Sequence, residues 1–235
     1  DPQWLPPLLA LEKAARAARD QPMLETVYEA MSESVSTPRR KAALLTDLAL
    51  LKADQPDGGP EKALELLDLA LDNGAPRSST LRAMERMARE HGLTRRRAGI
   101  LARQAQGLME ADLPDPSNAA ALLREAANLC RRELDDLDGA AEHIRTALKA
   151  LPAMRLLLED LLSLARARSD WQEAEEVLVQ ILEQVEDKEE RADIWYQIGV
   201  CRLNRGEDAN EAAEQATAIL PGFLPIQAER ERNLL

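Results

Sequence analysis

The sequence repeats itself. A shift of thirty-four residues lays Leu122 on Leu156, Leu123 on Leu157 and Glu125 on Glu159. The same shift lays Asp136 on Asp170, Ala140 on Ala174, Glu142 on Glu176 and Leu148 on Leu182, with Ile144 falling on Leu178 as a conservative match. A further shift brings Trp195, Ile198 and Gly199 into the first half of another unit. A period of this length holds one supersecondary element pair, which cannot bury its apolar face alone. Such units are stable only when each covers its neighbour.

Apolar residues inside each unit recur at spacings of three and four, the signature of amphipathic helices. In "KALELLDLALDNG" one face carries Ala63, Leu66, Leu67, Ala70 and Leu71; in "GAAEHIRTALKALP" it carries Ala140, Ile144, Ala147, Leu148 and Leu151. These runs stop at Gly74 and Pro152, as helices do. Alternating β-branched runs are absent, and Ala, Leu, Glu and Arg dominate, so nothing reads as a strand. The breaks leave about a dozen short helices, and short loops make sequential helices antiparallel neighbours.

The small residues then carry a resemblance. "WYQIG" supplies a large residue and an apolar–Gly pair in a first helix, through Trp195, Ile198 and Gly199. "DDLDGAAEHIRTALKALP" supplies Asp136, Ala140, Ala147 and Pro152; "SDWQEAEEVLVQIL" supplies Asp170 and Ala174, with Ile181 where a later alanine would stand. "GGPEKALELLDLALDNGAP" supplies Gly58, Ala63, Ala70 and Pro76. This pattern resembles the tetratricopeptide repeat. The resemblance implies an all-α, right-handed α-solenoid of about six antiparallel helix–turn–helix repeats in a single domain. The units expected are 4–36, 39–76, 77–114, 117–152, 154–187 and 188–223, with a tail over 224–235. Ala140 and Ala174 are expected buried, because paired helices approach closely there and a bulky side chain overpacks the crossing. In the 77–114 unit, "HGLTRRRAGIL" puts Arg96 or Arg97 near the usual small position. A solenoid of another repeat class is the alternative.

Composition removes several functions. There are 30 Lys and Arg against 42 Asp and Glu, a net charge of −12, and aromatics make up 3%. An acidic, aromatic-poor chain is a poor binder of nucleic acid or anionic membrane. No run is long and apolar enough to insert in a bilayer. With two histidines, His91 and His143, in different units, neither a zinc site nor a triad is expected. No phosphate or dinucleotide glycine motif occurs. The reading is therefore of a non-enzyme without cofactor or metal, located in the cytoplasm. Cys130 and Cys201 read as buried free thiols two units apart. The first residues lack both a start methionine and a basic leader, so a fragment and a trimmed form both stay open.

Two groups of residues are candidates for partner binding. Arg82, Arg86 and Arg89 share a helix face, and Arg95, Arg96 and Arg97 follow directly; together they suggest contact with an acidic protein partner. Arg124 and Asn128, four apart, share another face. Some tetratricopeptide arrays grip a peptide carboxylate with such a pair on the first helices, which line the concave surface. The resemblance thus implies a scaffold or adaptor that binds a peptide or partner protein. The alternative is a regulatory or sensor segment of a larger enzyme or signalling protein.

Overall fold

A computed structural model describes residues 5–56 and 58–221. The expected tail over 224–235, and Trp4, lie outside the described residues. Every regular element among the described residues is an α-helix, in the order α1 (Leu5–Ala18), α2 (Gln21–Ser34), α3 (Pro38–Ala53), α4 (Gly59–Asp72), α5 (Arg77–Glu90), α6 (Thr94–Met109), α7 (Pro116–Glu133), α8 (Leu137–Ala150), α9 (Arg155–Ala167), α10 (Trp171–Leu182), α11 (Lys188–Asn204) and α12 (Asn210–Ile219). The architecture is an all-α array of helix–turn–helix repeats. It forms two compact units, one up to Leu113 with α1 to α6 and one from Pro114 with α7 to α12. Within each unit every helix packs on the next in sequence, so three hairpins stack in a row. None of the described helices is long and apolar enough to cross a membrane.

Five of the six hairpin turns among the described residues share one backbone device. The first helix ends on a left-handed residue, at Arg19 (φ 55°), Gly92 (φ 66°), Asp135 (φ 51°), Ser169 (φ 58°) and Gly206 (φ 74°). The next N–H then reaches back to the closing turn: Asp20 N donates to Ala15 O at 3.0 Å, Leu93 N to Ala88 O at 2.8 Å, Asp170 N to Ala165 O at 2.9 Å and Glu207 N to Arg202 O at 2.9 Å. This satisfies carbonyls that the helix end leaves free. Where the residue after the left-handed position is Asp, it also starts the second helix. Asp20, Asp136 and Asp170 each accept a bond from the backbone N–H three residues on, at Met23, Gly139 and Glu173. Asp115 and Asp187 cap α7 and α11 in the same way.

Alanines sit where the helices cross. Ala63, Ala140, Ala174 and Ala212 have no exposed surface, and each lies early in a second helix. A methyl group added at Gly199 would stand 3.4 Å from the Ala212 methyl, so α11 and α12 approach closely at that point. The core follows from these crossings. In the first unit it runs through Leu64, Leu67, Leu81, Met84 and Ile100, with a second cluster of Val27, Tyr28, Met31 and Leu48.

The third hairpin departs from this rule at one residue. Arg97 follows the left-handed Gly92 by five residues, as Ala63 follows Gly58, Ala140 follows Asp135 and Ala174 follows Ser169, so it stands at the place those three hairpins give to alanine. Arg97 is half-buried there, and its neighbour Ala98 is buried, 3% exposed.

The thirty-four-residue shift does not hold for every helix. The α7–α8 turn is longer by one residue, with Asp136 N bonding Cys130 O instead of the carbonyl five residues back. From α8 to α10 the second helix keeps the thirty-four-residue step, Ala140 to Ala174 and Ile144 to Leu178. From α7 to α9 the first helix steps by thirty-five, and the buried positions correspond as Leu123 to Leu158, Ala126 to Leu161, Ala127 to Leu162 and Cys130 to Ala165.

Candidate functional site

In the second unit α7 and α9 flank an open groove. Its volume is about 280 Å³, and Ser117, Ala120, Ala121, Arg124, Glu125 and Asn128 line it from α7, with Met154, Leu156 and Leu157 opposite. A narrow continuation runs past Arg131, Asp160 and Leu164. The groove exists because α7 and α9 turn their small and apolar residues inward and leave one side open. With the thirty-five-residue step, Arg124 and Asn128 correspond to Glu159 and Ser163, not to the buried Leu158 and Leu162. All four therefore lie outside the apolar stripe.

Arg124 and Asn128 do come together in this groove, but with different freedom. Arg124 Nε donates to Asp160 Oδ2 at 2.5 Å, across from α7 to α9. The Asp160 carboxylate holds the guanidinium pKa above its ordinary value through that bond. The charge is thus committed within the protein. Asn128 is half-buried and makes no hydrogen bond to another described residue. Its amide presents both a donor and an acceptor to the groove. Leu156, 41% exposed, and Met154, 38% exposed, add apolar surface beside it.

The arginine group separates into two sets. Arg97 Nε donates to Glu85 at 2.8 Å, and Arg96 reaches Asp68 at 3.2 Å, a carboxylate that Arg103 also contacts. Arg77 pairs with Glu110 at 3.0 Å. Arg89 lies 3.9 Å from Glu85 and is 56% exposed. Arg82, Arg86 and Arg95 form no ion pair or hydrogen bond among the described residues. Sequence spacing places Arg82, Arg86 and Arg89 on one face, and the structure has them opposite the buried Leu81, Met84, Met87 and Ala88.

Sequence reasoning missed the ties between successive hairpins. Arg145 Nε donates to Glu173 at 2.7 Å, linking α8 to α10; Arg155 bridges Glu159 at 2.7 Å and Glu190 at 2.8 Å, linking α9 to α11. Arg202 and Arg205 converge on Glu175. Arg168, 13% exposed, contacts Asp138 at 2.9 Å and also Glu173. A repeat-length separation between an Arg and an acid, as from Arg124 to Asp160 or Arg155 to Glu190, is the signal that could have found them. Among the described residues no cluster of His, Cys, Asp and Glu is placed to hold a metal ion.

No protein-family model matches this sequence, and no curated protein matches it. Solved structures similar to it include YrrB, a TPR protein with an unusual peptide-binding site, at 16% identity and a TM-score of 0.39, covering 87% of this chain and 99% of that one. A tetratricopeptide repeat protein from Parabacteroides merdae is 16% identical with a TM-score of 0.38, covering 99% and 100%. TTC0263, a thermophilic TPR protein in Thermus thermophilus, is 18% identical with a TM-score of 0.35, covering 84% and 97%. What marks the repeat in this chain is its own turns and buried alanines.

Proposed function

We propose that this protein is an interaction module that binds a peptide segment of a partner protein in the groove between α7 and α9. The observation that carries this reading is Asn128. It is a half-buried amide without a partner among the described residues, on the wall of an open groove, flanked by the exposed side chains of Met154 and Leu156. A polar group in such a position is matched when a ligand supplies a backbone N–H and C=O, and the adjoining apolar surface takes a side chain. Arg124 acts as wall and not as a free cation, because Asp160 already neutralises it.

Peptides displayed on phage and selected on the purified chain test this. Selection should enrich a family sharing an apolar residue. Asn128→Ala and Leu156→Glu should each weaken an enriched synthetic peptide at least tenfold, with helicity unchanged by circular dichroism. If nothing is enriched, or both variants bind as wild type does, the groove is not the site.

A further inference from the structure

We infer that the exposed face of α5 built on Arg82 and Arg86, and extended by Arg89, is a docking surface for an acidic protein segment. It lies in the first unit and is independent of the groove between α7 and α9.

The starting point is how the surrounding hairpin uses its acids. Glu85 is taken by Arg97, Glu110 by Arg77, and Asp68 of α4 by Arg96 and Arg103. Arg82 and Arg86 are left without a partner among the described residues in a chain that carries more acids than bases. Glu90, the exposed acid four residues after Arg86, forms no ion pair with it among the described residues, so their placement gives the fold little. Like charges four apart on one helix face repel and destabilise it. Both side chains stand on the face opposite the buried stripe, so they support no packing. Residues that break a local rule without an evident structural gain point to a role outside the fold.

The chemistry of the partner follows from the charge and the spacing. The helical rise sets Arg82 and Arg86 about 6 Å apart along the axis, and Arg89 about 4.5 Å further. Three carboxylates on one face of an acidic helix, four and three residues apart, match that row. Guanidinium groups pair with carboxylates through two parallel N–H···O bonds, a geometry that ammonium groups do not offer. A nucleic acid fits less well. The one described aromatic of this unit, Tyr28, is buried and cannot stack on a base.

The experiment measures anisotropy of a fluorescein-labelled helical peptide carrying Glu at three positions spaced four and three. A Gln-substituted peptide and a single-stranded DNA of equal charge serve as comparisons. The protein variants are Arg82→Gln/Arg86→Gln, Arg82→Glu/Arg86→Glu and Arg82→Lys/Arg86→Lys. Arg39→Glu/Arg40→Glu makes the same change in net charge as the Glu variant, at exposed residues of α3. The acidic peptide should bind more tightly than the Gln peptide and the DNA, and binding should weaken as salt rises. The Gln and Glu variants should lose at least tenfold, the α3 control less than twofold, and the Lys variant should fall between. The Gln variant removes the repulsion, so it should melt no lower than wild type and keeps the test readable. Equal loss in the α3 control reduces the effect to net charge and overturns the proposal. So does tighter DNA binding lost in the same variants, or acidic-peptide binding that ignores them.

Discussion

Ala174 shows what the repeat demands of a single side chain. It has no exposed surface, lies four residues into α10 after the Asp170 cap, and shares the buried face with Val177, Leu178 and Ile181. The small size is a condition of helix approach, not of helix formation, since leucine is nearly as good a helix former. Ala174→Leu forces extra carbons into a filled crossing. It should cost about 1–3 kcal/mol in urea denaturation; unchanged stability would remove the packing argument. Arg97 is the converse case. It holds the same place in the third hairpin, stays half-buried and gives its charge to Glu85 on α5. The sequence flags the arginine as an anomaly at a small position. The acid that matches it is twelve residues away, and only the α5–α6 pairing brings the two together.

At the scale of the element, the helices are short, so their ends matter. Asp170 N closes α9 through the Ala165 carbonyl while its carboxylate opens α10 through the Glu173 N–H at 3.1 Å. One residue therefore terminates one helix and begins the next. Asp170→Ala keeps the backbone bond and removes the cap, leaving a helical N–H unmatched. The expected loss is about 1 kcal/mol in thermal or urea melts, within a range of about 0.5–2. No loss would mean that water replaces the carboxylate fully. The caps are partly legible in the sequence, since the period marks Asp136 and Asp170 as turn residues. The left-handed conformation at Arg19, Asp135 and Ser169 is not, because glycine marks that conformation in a sequence and these residues do not.

At the scale of the molecule, each unit holds its hairpins together by apolar contact and by ion pairs that span a repeat. The chain order separates the two thiols. Cys130 on α7 and Cys201 on α11 are both buried and form no disulfide, with the α9–α10 hairpin between them in the chain. Burial pushes the Cys201 thiol above its ordinary pKa, which holds down the reactive thiolate. Titration should find two thiols per chain once the protein is denatured, and slow labelling of both at pH 8 in the native state. A mass lower by two hydrogens, or fast native labelling of Cys201, would contradict the packing.

The period, the apolar spacing and the breakers determined by themselves that this chain is an array of helical hairpins. Helix periodicity and small-residue spacing are local properties, and every copy of the repeat states them again. The sequence also placed Arg82, Arg86 and Arg89 on one face, because a helix fixes that by its pitch. Only the tertiary structure decided which charges are spent. Arg124 is neutralised by Asp160, Arg96 by Asp68 and Arg97 by Glu85, whereas Arg82 and Arg86 remain unpaired among the described residues. An ion pair between neighbouring hairpins depends on the register of the turns between them. That register changes by one residue at the α7–α8 turn, where hydrogen bonding, and no residue pattern, sets the length.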